Sequence, residues 1–323
     1  MHKGPAILVT GGLGFIGSHT CVELLNAGYN IIVIDNLLNS KEIVKERIRG
    51  ITGKDFVWYN VDLLDYASVD RVFQNHQFAA VIHFAALKAV GESVAKPLLY
   101  YEHNLASSLN VLKAMQVHGC RRFVFSSSAT VYGIPEKVPL VETDTVGFLG
   151  DIGTRAGAKS TATNPYGVTK VFNERILEDL AQDTDWDIIS LRYFNPAGAH
   201  PSGCIGEDPN GIPNNLVPFL LKGHSLAVDS MLASKERVGG YRVYNLGTGQ
   251  GYSVLEMIQA MEKASGKKLP IEMSKRRPGD IAECYADASR AKMDLNFEAR
   301  RSLDEMMADS WRFTEGKCTY TSE

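Results

Sequence analysis

The sequence predicts an α/β protein, a doubly wound parallel sheet followed by a smaller C-terminal α/β substrate lobe. Three observations carry that expectation. The apolar pair Leu8-Val9 runs into Thr10-Gly11-Gly12-Leu13-Gly14-Phe15-Ile16-Gly17, with three glycines spaced by three. A second apolar strand ends in Asp35, 18 residues after Gly17. Beyond them, apolar strands alternate with helical segments, the rhythm of a parallel sheet covered on both faces.

Residues 6–9 are apolar throughout and read as a buried parallel strand, and 18–27 carries the spacing of a helix packed on it. Gly11 permits a turn where a Cβ would clash, Gly14 a close approach to a pyrophosphate, and Gly17 close packing of helix on sheet. The helix N-terminus then offers free N–H groups and a favourable dipole to the phosphates. Glycines alone are equally a tight turn; the strand before and the helix after favour a dinucleotide. Strand 31–34 delivers Asp35 where an acid accepts bonds from an adenosine ribose diol, and its charge favours NAD by repelling a 2′-phosphate.

Further strands are read at 56–61, 79–84 and 122–127, with helices at 67–75 and 104–118. Ligands of such sheets bind outside the carboxyl ends of the strands. That singles out Asp62-Leu63, Phe84-Ala85-Ala86, Ser126-Ser127-Ser128 and Tyr193-Phe194-Asn195. Asp62 is placed to accept from an adenine amino group, and Lys88 and Asn104 to hold the ribose nearer the nicotinamide. Each is equally read as a cap or a solvated loop residue.

Tyr166 and Lys170 open a helix running to about 181, and a spacing of four puts phenol and ammonium on one face. A cation there favours phenolate and is expected to lower the phenol pKa from about 10 toward neutrality. Such a phenolate takes a proton from a sugar hydroxyl while hydride leaves the same carbon, with Ser128 sharing the hydrogen bond. A surface pair would explain two such residues four apart; the glycine loop and the strand-end serine make them catalytic candidates.

The 34 basic and 37 acidic residues leave a net charge of -3, which excludes the basic footprint of a nucleic-acid binder. The N-terminus shows no charged-then-apolar leader, and no apolar run approaches the roughly 20 residues of a membrane span, so a cytoplasmic protein is expected. Cys21, Cys120, Cys204, Cys284 and Cys318 are odd in number and widely spaced, which favours reduced thiols over bridges or a metal site.

The chain resembles the extended short-chain dehydrogenase/reductase superfamily and, within it, the UDP-glucose 4-epimerase family. Besides the glycine loop, the likeness rests on Asp35-Asn36-Leu37, His83-Phe84-Ala85-Ala86-Leu87-Lys88, Ser126-Ser127-Ser128-Ala129-Thr130-Val131-Tyr132-Gly133, Asn164-Pro165-Tyr166-Gly167 and Leu191-Arg192-Tyr193-Phe194-Asn195-Pro196. It continues in Gly206-Glu207-Asp208-Pro209-Asn210-Gly211-Ile212-Pro213-Asn214-Asn215-Leu216, the run most specific to the epimerases.

The resemblance implies a Rossmann-type NAD domain over 1–193, a UDP-sugar lobe over 194–323, and a strand near 241–246 that returns to the first sheet. It implies inversion at C4 of a UDP-hexose: Tyr166 takes the 4-OH proton as hydride passes to tightly held NAD, and the 4-keto sugar turns over before hydride returns. By family position Gly11, Gly12, Gly14, Phe15, Ile16, Gly17, Asp35, Asn36, Asn39, Ser40, Asp62, Leu63, Phe84, Ala85, Ala86, Lys88, Asn104, Ser126, Tyr166, Lys170 and Phe194 meet NAD. Lys88, Ser128, Tyr166, Asn195, Asn215, Leu216, Arg277, Asp280 and Cys284 meet the UDP-sugar. Arg277 suits a diphosphate bidentately, though it is equally a solvated basic turn. Cys284 falls where some epimerases place a bulky Tyr, which leaves room for a C2 N-acetyl group, though it is equally a buried thiol. Helices 104–118 and 166–181 pair across a two-fold axis in related epimerases, so a homodimer is expected.

Two features depart from the family. The connection from Gly133 to Asn164 is longer than usual, and its 147–162 part reads as a mobile loop. Phe219 is followed at once by Leu220, where the family carries a few dozen more residues bearing uracil and diphosphate contacts. A true deletion would weaken UDP binding; a sequence from which a mobile segment is omitted is the favoured alternative, because 221–231 resumes as if in mid-element. Farther on, 242–246 reads as a strand, and 254–264 and 302–313 as helices of the smaller lobe.

Among rivals, a 4,6-dehydratase of the same fold would carry an Asp-Glu pair after the strand-end Thr, which Ala129-Thr130 here does not match. A uronate epimerase or decarboxylase needs further cations for a C6 carboxylate, neither supplied nor excluded by the sequence. A non-enzymatic NAD-sensing regulator has little reason to keep Tyr166, Lys170 and a serine before them; an NAD-binding protein catalytically impaired by the break after Phe219 is the more serious non-catalytic reading.

Overall fold

The computed structural model describes residues 6–144, 162–182, 185–194, 198–210, 222–233, 239–272 and 283–320. The first unit is β1 (Ala6–Thr10), α1 (Phe15–Asn26) and β2 (Asn30–Ile34). Ile7, Leu8 and Val9 stand in parallel register with Ile31, Ile32 and Val33, and all six are buried. Burial on both faces explains the uninterrupted apolar runs. Then come α2 (Ile43–Thr52), β3 (Val57–Tyr59), α3 (Tyr66–Asn75), β4 (Ala80–His83), α4 (Val90–Ala95), α5 (Pro97–Val117) and β5 (Arg122–Ser128). A 3-10 turn at Ala129–Tyr132 leads on to α6 (Pro165–Ala181) and β6 (Asp187–Tyr193). The remainder is α7 (Lys222–Ala233), β7 (Gly240–Leu246), α8 (Val254–Ser265), α9 (Ser289–Leu295) and α10 (Leu303–Thr314).

Seven strands make one parallel sheet in the order β3-β2-β1-β4-β5-β6-β7. The order reverses between β1 and β4, the switch point beside which a crevice opens at the carboxyl ends. One face is packed by Leu24, Leu25, Ile48, Val228, Met231 and Leu295 from α1, α2, α7 and α9. The other is packed by Val69, Phe73, Val111, Met115 and Leu177 from α3, α5 and α6. The segment read as a strand at 242–246 is β7, which begins at Gly240 and pairs along its length with β6.

Local chemistry explains most boundaries. Asp65 caps α3 by accepting from Ala67 and Ser68 N–H, and Asn164 caps α6 by accepting from Gly167 N–H, with Pro165 at the first helical position. Ser253 with Glu256 and Ser302 with Glu305 form capping boxes that start α8 and α10, which pack on each other through Ala260, Met306 and Met307. α5 starts at Pro97, earlier than the apolar spacing from 104 indicates, because Tyr100 is the one fully buried side chain of its first two turns.

The cysteine expectation is corrected. Cys204 and Cys318, 114 residues apart, form a disulfide with Cα atoms 4.4 Å apart. The C-terminal tail folds back onto the loop after β6: Thr319 N–H donates to Ser202 O at 2.8 Å and Arg312 Nη1 to Pro201 O at 2.6 Å. Spacing reveals no such pair, because tertiary folding alone brings the two sulfurs together. Cys21, Cys120 and Cys284 are in no disulfide.

Candidate active site

At the switch point a cleft of about 2280 Å³ runs from the glycine loop past the ends of β4 and β5 to the small lobe. Gly11 has φ +68°, and a Cβ there would lie 2.8 Å from Ala85 N, where the loops after β1 and β4 touch. A Cβ on Gly17 would fall 2.2 Å from Gly11 O, whereas one on Gly14 would meet Gly11 O at 3.2 Å and nothing nearer. Gly14 is the N-cap of α1 with no side-chain cap bond, so the first amides of that helix are left for a ligand. The donor set and the open face of the loop fit a pyrophosphate.

Asp35 is buried, and its carboxylate accepts from Leu13 N–H and Leu37 N–H at 3.0 Å each and from Ser40 Oγ at 2.7 Å. It therefore ties the end of β2 to the glycine loop besides facing the cleft. Asn36 donates to Asp62 Oδ2 at 3.2 Å, and Phe15, Ile16, Asn39, Ser40, Asp62, Leu63, Ala85 and Ala86 line the same end. The Phe84 ring, also on the cleft, rests on His224 with centroids 4.3 Å apart.

One residue departs from its expected part. Asn104 does not line the cleft: its amide accepts from Leu87 N–H at 2.8 Å and donates to Leu87 O and Thr169 Oγ1 at 3.0 Å. It pins the loop carrying Lys88 to α6, with both amide hydrogens committed. Lys88 does line the cleft, where it pairs with Glu207 at 2.6 Å. With Lys41–Asp208 at 2.5 Å and Asn210 donating to the carbonyls of Leu37 and Leu38, residues 207–210 strap across the cleft mouth. Sequence reasoning quoted this run as a motif and gave its side chains no role; facing lysines 119 and 167 residues away in sequence were the unseen partners.

The catalytic candidates come from β5 and α6. Tyr166 and Lys170 share one face of α6, the ammonium 5.8 Å from the phenol ring centroid, and Ser128 hydrogen-bonds Tyr166. Lys170 Nζ is buried, donates to Ser126 O at 2.6 Å and lies 4.6 Å from the Phe125 ring centroid. The expected lowering of the phenol is corrected: burial pushes Tyr166 up to about 12, with the Ser128 hydrogen bond acting the other way. Burial also pushes Lys170 down to about 7, against the pull of Glu174. A desolvated lysine is a weaker cation than spacing alone implies.

The far end of the cleft is lined by Phe194 and Cys284. Leu140 N–H donates to Tyr285 O at 2.9 Å and Asp287 N–H to Leu140 O at 2.8 Å, which fastens to Leu140 the segment carrying Cys284. Burial pushes its thiol up to about 11, so it is neutral at pH 7. Asn195, Asn215, Leu216, Arg277 and Asp280 lie outside the described residues, as do the Phe219–Leu220 junction and most of the 147–162 segment.

A parallel sheet in this order, a glycine turn entering an uncapped helix and a Tyr–Lys pair beside a strand-end serine define a dinucleotide-dependent enzyme of the short-chain dehydrogenase/reductase type. More closely, the chain belongs to the NAD dependent epimerase/dehydratase family, whose model matches residues 7–229. The UDP-glucose 4-epimerase of Bacillus subtilis (strain 168) is 50% identical over 344 residues, covering 95% of this chain and 96% of that protein. That span exceeds the 323 residues present here, so the match opens gaps on this side. Among solved structures, the Bifidobacterium longum UDP-glucose 4-epimerase in complex with NAD+ and UDP has TM-score 0.87 and 45% identity, covering 96% of this chain and 98% of that one. The Stenotrophomonas maltophila UDP-glucose-4-epimerase with NAD and formylated UDP-arabinopyranose has TM-score 0.86 and 40% identity over 97% and 98%.

Proposed function

We propose that the protein interconverts UDP-glucose and UDP-galactose by NAD-dependent inversion at C4. The observation that carries this is the meeting of the glycine loop, Ser128, Tyr166 and Lys170 in one cleft that also takes in Glu207, Asp208 and Cys284. Gly11, Gly12, Gly14, Phe15, Ile16 and Gly17 hold the pyrophosphate, and Asp35 with Asn36, Asn39, Ser40, Asp62 and Leu63 the adenosine. Phe84, Ala85, Ala86, Lys88, Ser126, Tyr166, Lys170 and Phe194 surround the reacting end. NAD held there both accepts and returns a hydride, so the reaction has no net redox change.

Tyr166 takes the 4-OH proton and later returns it, and Ser128 bonds the same oxygen. Proton removal needs the phenolate, so the charge of Lys170 has to work against the burial that holds the phenol at about 12. Inversion requires the ring to turn between the two half-reactions, so the nucleotide rather than the hexose supplies the affinity. Asn195, Asn215, Leu216, Arg277 and Asp280 are assigned to the UDP-sugar on family likeness alone. The small Cys284 leaves room for an N-acetyl group at C2, so UDP-GlcNAc and UDP-GalNAc are also substrates; Cys284→Tyr should abolish their conversion and spare the plain pair.

The chain divides into an NAD domain over 1–193, to which β7 returns, and a UDP-sugar lobe over 194–323. A cytoplasmic homodimer paired through α5 and α6 completes the proposal. Among the described residues no helix is long and apolar enough to cross a membrane. The deciding experiment mixes purified protein with UDP-galactose and no added NAD. UDP-glucose formed by wild type and not by Tyr166→Phe supports the reading; no product from wild type refutes it.

A further inference from the structure

Three consecutive serines close β5, and each is matched to one residue of a stripe on α6. Ser128 hydrogen-bonds Tyr166. The Ser126 carbonyl accepts from Lys170 Nζ, and the Ser127 hydroxyl donates to Glu174 Oε1, both at 2.6 Å. Glu174 follows Lys170 by one helical turn, as Lys170 follows Tyr166, so the three lie on one face. Tyr166 and Lys170 belong to the reaction; Glu174 does not line the cleft.

Glu174 is buried, and a buried carboxylate stays ionised only when its charge is balanced and its oxygens are bonded. Arg192 on β6 does both, reaching Oε2 from Nη2 at 2.7 Å and Oε1 from Nε at 3.0 Å. Arg192 is itself anchored by Tyr132 at 2.8 Å, and Tyr132 donates to Asn245 Oδ1 on β7 at 2.7 Å. An apolar pair would join these elements as well, since a buried ion pair is weak evidence for stability. What an apolar pair would not supply is a fixed negative charge one turn from Lys170.

We propose that Glu174 is a positioning residue of the C4 reaction: clamped by Ser127 and Arg192, it holds a negative charge one helical turn from Lys170 and strengthens that lysine's hold on its proton beside Tyr166. The inference rests on the epimerase reading for its catalytic meaning. The other groups facing the ammonium do not supply the charge. His83 on β4 and His224 on α7 are both neutral, burial pushing His83 down to about 3 and His224 well below its ordinary value, and Lys170 lowers each further. Tyr166 is a neutral phenol, and the Phe125 ring contributes only its quadrupole. Arg192, bonded to both oxygens of the carboxylate, carries the opposite charge and opposes the effect. Glu174 raises the Lys170 pKa against burial, and a neighbouring opposite charge moves a pKa by about 1–3 units, enough to decide whether Lys170 is charged at neutral pH.

The test reads the lysine directly. Protein carrying 13Cε-lysine is titrated by NMR, with the Lys170 signal assigned by its loss in Lys170→Met. Glu174→Gln keeps an acceptor for Arg192 and removes the charge. Should it melt early with Arg192 unpaired, Glu174→Gln/Arg192→Gln is read against Arg192→Gln, so that the two differ only in the Glu174 charge. The midpoint of Lys170 is expected to fall by about one unit or more, with the alkaline limb of the UDP-galactose kcat profile moving to lower pH and KM unchanged. A midpoint within experimental error of wild type in the folded variant overturns the proposal. Wild-type protein that converts no UDP-sugar refutes the epimerase reading, while the Lys170 titration still decides whether Glu174 sets its charge.

Discussion

Gly17→Ala is the sharpest test of the glycine loop, because two effects oppose each other and geometry decides between them. Gly17 lies in the first turn of α1, where alanine should stabilise a helix by about 1 kcal/mol. The added Cβ would fall 2.2 Å from Gly11 O and 2.8 Å from Gly12 Cα. Both are backbone atoms of the turn that Asp35 clamps through Leu13 N–H, so neither can swing aside as a side chain would. Overpacking costs about 1–3 kcal/mol, and against rigid backbone the upper end applies. Offset by the propensity gain, the net loss is about 2 kcal/mol, or roughly 4–8 °C in Tm for a domain of this size. Gly91→Ala is the control, since its Cβ has nothing within 4 Å in the helix α4. Thermal melts of both variants, with assay of NAD released on denaturation, check the claim. Gly17→Ala that melts with wild type and keeps its NAD would refute the close-packing argument.

Further predictions concern charge and covalent links. Lys170 titrates at about 7 when folded against an ordinary 10.5, so from pH 7 upward the unfolded chain binds a proton that the folded one lacks. Stability of protein stripped of ligand should therefore rise between pH 7 and 9 by up to about 1.4 kcal/mol per unit, and urea melts of Lys170→Met should lose that slope. Asp35→Ala leaves Leu13 N–H without its acceptor and should cost about 1–3 kcal/mol and the retained NAD, seen by calorimetry and cofactor assay. Cys318→Ser opens a link spanning 114 residues and should cost about 2–4 kcal/mol in denaturant melts; an unchanged midpoint would show that the bond contributes nothing.

Part of this molecule is legible without coordinates. Strands 7–9 and 31–34 are apolar at every position because both faces of a parallel strand are covered, a demand written into consecutive residues. Gly11 and Gly17 answer steric limits set within a few residues, and Tyr166 and Lys170 share a face by helical repeat alone. α4 and α9 went unread because six and seven residues are too few to set a period, and α2 because Val44 and Ile48 are its only buried positions.

The sequence by itself determined the sheet class, the glycine turn, the acid at the end of β2 and the Tyr–Lys face, since each depends on local backbone sterics and periodicity. Tertiary structure alone decided that Cys204 bonds Cys318, that Asn104 pins a loop, that Glu207 and Asp208 reach Lys88 and Lys41, and that Glu174 stands between Ser127 and Arg192. It also decided that the phenol is held up and the lysine held down. The reason is common to all of these: partners far apart along the chain meet only through the order of strands in the sheet, and desolvation depends on everything packed around a group.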